Sequence, residues 1–334
     1  MGKTKLTLGE VYRLSRDVLL AAGADDAGAA CLARATREAE ADGLPNVGLS
    51  HLLDYLEALK NGQLNGRAEP VVQREGAACF KVDGDGGTAH LAFGEVFADL
   101  AEAAHQNGVA VLTVRNVFTC GVVGFFVEFL ARRGLVAQAC ANAPATVAPW
   151  GGALPFFGTN PIAFAAPLGR EMPLVVDQAT TTTAFVNIRQ AAREGRPIPQ
   201  GWGLDARGRP TTDAAAALEG TVAPAGGYKG TNLALMVDVL AAGLGGARWS
   251  HQSPGMGAAG QSLDVGLFIV AFEPRRFAGD GFEQRLAEWA EVYKRDFGGR
   301  VPGEARWERR RRSVRYGVEV DDGVLAAVKG YLSA

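Results

Sequence analysis

Two glycine-bracketed stretches carry groups suited to holding an anion or a sugar. Gly226-Gly227-Tyr228-Lys229-Gly230 places a lysine on a turn that enters a helix. The free amides and dipole of a helix N-terminus favour negative charge. Lys229 would add a compact positive charge for a pyrophosphate or a carboxylate; a solvated turn lysine is the plain alternative. Gly158-Thr159-Asn160-Pro161 offers a tight turn, a hydroxyl and an amide, a set able to hold ribose or phosphate. Asp177 closes an apolar run, where it either serves a site or caps the next element. Gly84-Asp85-Gly86-Gly87-Thr88-Ala89 fits the G-x-G-x-x-A dinucleotide fingerprint, with Glu102 at the distance of a ribose contact. Such a match arises easily among 44 glycines. No doubly wound pattern follows it, so it reads as a glycine-rich turn leading into a packed helix.

Proton transfer near neutral pH calls first for histidine. The chain has four: His51, His90, His105 and His251. His105 stands at a helix end and reads as structural, and His251 as a solvated loop residue. His90 follows the glycine-rich turn and could face a cleft. The four cysteines, Cys31, Cys79, Cys120 and Cys140, form no C-x-x-C pair, so neither a zinc site nor a redox pair is expected. Cys120 lies in an apolar stretch, where a thiol is inert packing.

Helices and short strands must position these groups. Thr7 and Glu10 form a capping box before Val11, Leu14, Val18 and Leu19, which share a helical face. Further helices are expected over 26–41 and 50–60, the latter stopped by Asn61-Gly62. Apolar runs between glycines predict strands over 78–82, 109–114, 135–140, 173–177 and 266–272. Helices are expected between and after them, over 93–106, 122–133, 232–244 and 282–296. The pattern is a mixed α/β (α+β) chain with a helical N-terminal subdomain.

A formal charge of −2 gives no field for nucleic acid or a membrane surface. No apolar run is long enough to span a bilayer. The N-terminus lacks a signal-peptide pattern, so reduced thiols in a cytoplasm are expected. The run Arg309–Arg312 reads either as a solvated helix face or as a site for a cofactor phosphate.

From Leu112 onward the chain resembles the type-2 malate/L-lactate dehydrogenases, a family that includes ureidoglycolate, sulfolactate and diketogulonate oxidoreductases and cyclic imino-acid reductases. The resemblance rests on an ordered set of segments. These are Val114-Arg115-Asn116, Ala148-Pro149-Trp150-Gly151-Gly152, Gly158-Thr159-Asn160-Pro161, Asp177-Gln178-Ala179-Thr180, Pro210-Thr211-Thr212-Asp213, Gly226 to Gly230, and Val301-Pro302-Gly303-Glu304. It implies a non-Rossmann fold that binds NADP or NAD on a mixed, largely antiparallel sheet, in a homodimer. It implies a helical subdomain over 1–75, completed by 305–334, and an NAD(P)-binding and substrate region over 76–304. The cofactor contacts it implies are Asn142, Gly158, Thr159, Asn160, Asp177, Gln178, Ala179, Lys229, Pro302, Gly303 and Glu304, with a small substrate, carrying a carboxylate, as the other ligand.

The chain departs from this family where catalysis is expected. The family's Ser-His-Gly-x-x-Arg falls on Asn46-Val47-Gly48-Leu49-Ser50-His51, so Val47 takes a histidine position and His51 the position of the substrate-contacting arginine. Asn46 stands for the serine and can still hydrogen-bond. The second family histidine, which follows Val-Arg-Asn-x-x, falls on Thr119. The candidate catalytic residues are therefore His51, Thr119 and Asn46. A threonine hydroxyl is a poor acid. Reduction of a protonated cyclic imine needs hydride alone, so this loss costs it least. An NAD(P)H-dependent reductase of a small cyclic imino acid is the preferred reading. A 2-oxo acid reductase or 2-hydroxy acid dehydrogenase using His51, or a water held by Thr119, is the second. A dinucleotide-binding partner protein that has lost catalysis is the third.

Overall fold

Thr7 starts the first helix. Its hydroxyl accepts from the Glu10 amide while the Glu10 carboxylate accepts from the Thr7 amide. The computed structural model describes residues 2–169 and 172–332. A short strand, β1 (Lys3–Leu6), leads into α1 (Leu8–Ala21), α2 (Asp26–Ala41) and α3 (Leu49–Lys60). Asp25 caps α2 through the Gly28 amide. The apolar faces of these helices bury Val11, Leu19, Leu32, Leu49, Leu52 and Leu56.

The chain then runs β2 (Val71–Arg74), β3 (Cys79–Asp83), α4 (Ala89–Asn107), β4 (Val109–Val117), α5 (Gly124–Ala131), β5 (Val136–Ala141), β6 (Ile162–Ala166), β7 (Leu174–Gln178) and α6 (Phe185–Arg193). A small lobe follows: β8 (Gly203–Leu204), β9 (Pro210–Thr211), α7 (Ala214–Leu218) and β10 (Thr221–Val222). Next come α8 (Tyr228–Asp238), β11 (Val265–Phe272), α9 (Arg275–Ala278), α10 (Phe282–Phe297), α11 (Glu304–Tyr316), β12 (Val318–Asp321) and α12 (Asp322–Gly330).

Seven strands form one sheet in the order β2-β3-β4-β11-β5-β6-β7. The pair β3–β4 is parallel and the others are antiparallel. The sheet is thus mixed and largely antiparallel, as the resemblance implies. The last long strand, β11, lies at its centre and buries Leu267, Ile269 and Ala271. The two chain ends meet, because β1 pairs antiparallel with β12. Helix α12 packs on α3, and α11 on α2. The small lobe has its own sheet, β10-β8-β9, and its own apolar cluster around Ile188, Phe157 and Val222. No helix among the described residues is long and apolar enough to cross a membrane.

Several boundaries differ from those read in the sequence. Helix α8 begins at Tyr228, four residues before the expected start, so the glycine motif is its first turn; a Cβ on Gly230 would meet the Ala225 carbonyl oxygen at 2.4 Å. Its continuation over Val239–Leu244 is a π turn. Helix α5 starts at Gly124 and not Val122, and α4 starts at Ala89 behind a Thr88 cap. Strand β6, of alternating small residues, has no counterpart among the expected strands.

The fingerprint-like turn sits in a true β-α-β unit, between parallel strands β3 and β4. Its glycines nonetheless serve packing. The amides of Gly84 and Gly86 bond the carbonyls of Arg115 and Asn116. A Cβ on Gly84 would lie 2.3 Å from a Val117 methyl, and one on Gly87 2.5 Å from Ala68 Cβ. Glu102 is bound by the Gln106 side chain on the same helix. Gly87→Ala should therefore lower the unfolding free energy by about 1–3 kcal/mol, the usual cost of overpacking, while NADH or NADPH affinity of the folded protein stays unchanged. Selective loss of that affinity at full stability, measured by urea unfolding and fluorescence titration, would restore the phosphate-loop reading.

Candidate active site

A buried carboxylate fixes the start of α3. Glu40 Oε1 accepts from the Leu49 amide at 2.8 Å, and a Cβ on Gly48 would fall 2.3 Å from that oxygen. Burial pushes the Glu40 carboxyl upward against this bond. With α3 anchored, His51, Asp54 and Tyr55 share one face, being three and four residues apart. Opposite stands the turn after β4, which carries Thr119, Cys120 and Gly121.

Between them opens a cleft of about 490 Å³. It is lined by Asn46, Val47, His51 and Asp54 from the helical side, by Thr119 and Asn142 from the sheet, by Thr159, and by Phe185, Val186 and Arg189 of α6, with Met256 at its edge. Gln63 pins the loop bearing Met256, donating to the Gly255 carbonyl and accepting from the Gly257 amide.

Three charged or polar groups meet on the α3 side. His51 Nδ1 lies 2.8 Å from Asp54 Oδ2, and Arg189 Nη2 lies 3.5 Å from the same oxygen. Burial works to raise the Asp54 carboxyl, but the hydrogen bond and charge of His51, with those of Arg189, outweigh it and hold it below its ordinary value. The His51 ring meets Tyr55 edge-on at 4.7 Å. The Tyr55 hydroxyl bonds Thr119 Oγ1 at 2.7 Å, and burial pushes its pKa up. Behind them His90 is buried between Phe125 and Phe126, and its Nδ1 has no hydrogen-bond partner. Gly121 leaves it room: a Cβ there would lie 3.2 Å from His90 Cε1 and 3.4 Å from the Tyr55 oxygen. Cys120 is buried and its thiol is pushed up, so no thiolate faces the cleft.

The cleft gathers five of the candidate catalytic and cofactor residues, Asn46, His51, Thr119, Asn142 and Thr159, together with Val47 and Cys120. Two of the others sit close by with their groups committed. Asn160 is fully buried, donating to the Ala234 carbonyl at 2.9 Å and accepting from the Ala143 amide and the Ser250 hydroxyl. Gly158 is bare because a Cβ would meet the Ala143 carbonyl at 2.4 Å. The Asn142 side chain, although at the cleft, is also engaged, with the Arg248 carbonyl and the Gly266 amide. Asp177 points away from the cleft. It accepts from the Gly124 amide at the start of α5 and lies 3.8 Å from Arg306, with burial raising its carboxyl. Gln178 follows it, exposed at the strand end, and Ala179 leaves the strand half-buried. Lys229 is exposed on the first turn of α8. Pro302 accepts from the Val175 amide, Gly303 caps α11, and Glu304 pairs with Lys294.

Asp54, Tyr55, His90 and Arg189 complete this neighbourhood. Their signal in the sequence is uneven. Asp54 and Tyr55 follow His51 at helical spacing. Arg189 gives no local sign, since it reaches Asp54 from 135 residues away. The arginine run divides: Arg310 turns inward and pairs with Glu38 and Asp42, while Arg309 stays exposed and donates to the Asp42 carbonyl. His105 pairs with Glu273 and is structural. Exposed His251 stacks on Phe156.

Residues 6–329 match the family described as malate/L-lactate dehydrogenase. The chain is 37% identical over 332 residues to a Δ1-pyrroline-2-carboxylate reductase of Pseudomonas fluorescens, covering 98% of both chains. It is also 37% identical over 327 residues to a (2R)-3-sulfolactate dehydrogenase (NADP+) of Chromohalobacter salexigens, covering 98% of this chain and 97% of the other. The crystal structure of Δ1-piperideine-2-carboxylate reductase from Pseudomonas syringae superposes with a TM-score of 0.94 at 34% identity, over 98% of this chain and 99% of that one.

The buried His90 ring has a consequence for acid stability. Desolvation, with a smaller contribution from the charge of His51, lowers its pKa from 6.5 to about 4. The unfolded chain therefore takes up a proton below pH 6.5 that the native state refuses until about pH 4. Stability attributable to this group is complete above pH 6.5 and falls by about 3 kcal/mol as pH drops through that window. His90→Leu should remove this component. Urea unfolding of both proteins at pH 7.5 and pH 4.5 checks it: an equal loss on acidification in both would show that His90 protonates in the native state.

Proposed function

The chain belongs to the malate/L-lactate dehydrogenase family, and on that premise we propose that this oxidoreductase is an NAD(P)H-dependent reductase of a small cyclic imino acid. The observation that carries the reading is the state of the acid–base positions. Val47 and Thr119 take the histidine positions implied by the resemblance, and both line the cleft. His51 has Nδ1 on Asp54, which leaves its Nε2 as the one histidine nitrogen open to the cleft, and His90 is sealed and neutral near pH 7. A ketone needs a proton on the developing alkoxide; a cyclic iminium already carries its proton on nitrogen. The relatives named for Δ1-pyrroline- and Δ1-piperideine-2-carboxylate reduction support the same substrate class.

The cleft suits a nicotinamide cofactor in two respects. Thr146 Oγ1, on its wall, is buried without a partner. The Thr159 hydroxyl at its edge has no protein partner among the described residues. A reduced nicotinamide, when bound, would supply the hydride. Thr146, Thr159 and the turn before α5 would hold it, while Phe185, Val186 and Met256 would exclude water from the reacting face. Thr119, tied to Tyr55, shapes the pocket and positions the substrate nitrogen. Lys229, Gln178, Ala179 and the 302–304 turn lie outside the cleft lining, and their cofactor contacts belong to this proposal. The choice between NADP and NAD is part of the same experiment.

A second reading, reduction of a 2-oxo acid, is favoured by the sulfolactate dehydrogenase relative and by the Thr119–Tyr55 hydroxyl pair. Loss of nicotinamide absorbance with Δ1-pyrroline-2-carboxylate against pyruvate separates the two. Imine turnover is expected, with Thr119→Val changing kcat/KM less than about tenfold, because removing a true general acid costs about 10²–10⁴-fold. Turnover of the oxo acid alone, or a collapse in Thr119→Val, replaces the imine reading. Tight cofactor binding with no turnover of either compound supports a catalytically silent partner protein.

We also propose that two copies pair, in a reducing cytoplasm. Leu233, Leu235, Met236, Val239 and Leu244 are exposed along α8 and its π turn, a run of large apolar side chains of the kind that marks an interaction surface. All four cysteines are free thiols. Light scattering should give twice the 35.0 kDa of one chain; a single-chain mass at all working concentrations overturns the pairing.

A further inference from the structure

We propose that Arg189, and not His51, is the residue that grips the substrate's carboxylate, with Asp54 as its positioning residue. The inference rests on the cleft taking a carboxylate-bearing substrate, which the imine and oxo-acid readings share. Among the residues lining the cleft, Arg189 is the sole lysine or arginine. His51, which stands where the resemblance places a substrate-contacting arginine, has turned Nδ1 to Asp54 at 2.8 Å.

The fold holds Arg189 in place from behind. Its neighbours on α6, Ile188 and Ala191, are buried in the small lobe's core at 0% and 3% exposure. Asn187 bonds the Thr183 hydroxyl. Rotation about the helix axis then aims position 189 out of that core and across the cleft to α3. The contact it makes there is loose. A single Nη2–Oδ2 distance of 3.5 Å leaves most of the guanidinium's five donors unspent. A purely structural ion pair would favour the close two-pronged geometry. Here Asp54 gives its short bond to His51 and only steers the guanidinium, whose planar fork matches a carboxylate. A carboxylate held at Arg189 has the attached ring directed toward Thr119, where the sheet side of the cleft begins. The charge therefore selects ring carboxylates over bare rings and fixes which end of the ring enters first.

The test compares Δ1-pyrroline-2-carboxylate with Δ1-pyrroline, the same ring without its carboxylate, in wild type, Arg189→Gln, Arg189→Lys and Asp54→Asn. Losing a charge-assisted pair of bonds should raise KM for the carboxylated ring roughly 10- to 100-fold. KM for the bare ring should change far less, and cofactor Kd should not follow the carboxylate effect. Arg189→Lys should recover part of the loss. Asp54→Asn should raise KM less than Arg189→Gln does. Equal KM changes for both rings, or none, overturn the proposal, as does His51→Ala reproducing the full carboxylate effect with Arg189→Gln silent. If the protein reduces 2-oxo acids and no imine, pyruvate against acetaldehyde replaces the ring pair; a surviving difference upholds Arg189 while the imine reading falls. If nothing turns over, calorimetric binding of pyrrole-2-carboxylate against pyrrole to the cofactor-loaded protein decides the matter. Loss of the difference in Arg189→Gln is then expected, and its persistence overturns the proposal.

Discussion

The helical layer and the sheet are fastened by charges taken out of water. Helix α11 sends Arg306 and Arg310 into a space walled by Glu38 of α2 and Asp42 at its C-cap, Glu128 of α5 and Asp177 at the end of β7. Arg306 and Arg310 are only 13% and 15% exposed. Burying such ions is costly, and their attraction repays it only when every partner is present. That condition is what makes the cluster a constraint: α11 can dock in one place, and three separate parts of the fold must arrive together. Arg132 joins Glu128 from the same helix and lies over the Trp307 ring. Burial works to raise both Glu38 and Asp42; at Glu38 the charges of Arg310 and Arg37 outweigh it and hold the carboxyl low, while at Asp42 burial, with the nearby charge of Glu128, prevails and leaves it high.

The cleft inherits its shape from that junction. Asp177 accepts the first amide of α5, which fixes the turn carrying Thr119 and Gly121. Glu40, close to Glu38 on α2, anchors the start of α3 and so sets His51, Asp54 and Tyr55. A small cavity between junction and cleft is lined by Glu128, Arg306, Tyr55 and His90. The histidine face of the cleft and the ion cluster are thus two sides of one wall, and a change in the cluster would reach the cleft through α2 and α5 without any ligand contact.

What can be read in the sequence follows a physical line. Helices with local caps, such as Thr7 with Glu10 or Asp25 before α2, carry their own instructions within four residues, and their bounds are legible. Strands of continuous apolar residues are legible too. Strand β6 is not, because Ala163, Ala165 and Ala166 give little hydrophobic contrast and its neighbours β5 and β7 decide its state. The start of α8 is hidden because Gly226 and Gly227 take positive φ just before it, while Gly230 within its first turn is bare for close approach to Ala225. At the site, Asn46, His51 and Thr119 are found through their registers. Arg189 is not, because its meaning exists only once the small lobe folds over α3. Asn160 shows the reverse: an amide in a polar motif that reads as a ligand contact has its side chain bonded throughout to protein.

A cleft whose tyrosine, cysteine and inner histidine are all held uncharged is a selective device as much as a deficient one. Tyr55 is held protonated by burial, Cys120 likewise, and His90 is held neutral by the same desolvation acting on a base. Burial thus drives each of these groups to its uncharged form, so none exchanges protons readily near pH 7. The charge that remains, Asp54 with Arg189 and His51, lies to one side and is suited to binding. Such an arrangement favours a substrate that brings its own proton and is recognised by an anionic handle. It disfavours a ketone, whose alkoxide would have to be neutralised by His51 alone or by a hydroxyl that is itself hard to ionise. The chemistry is therefore constrained less by which residues are present than by how completely the aromatic wall of Phe118, Phe125 and Phe126 keeps water from the groups that could otherwise have done acid–base work.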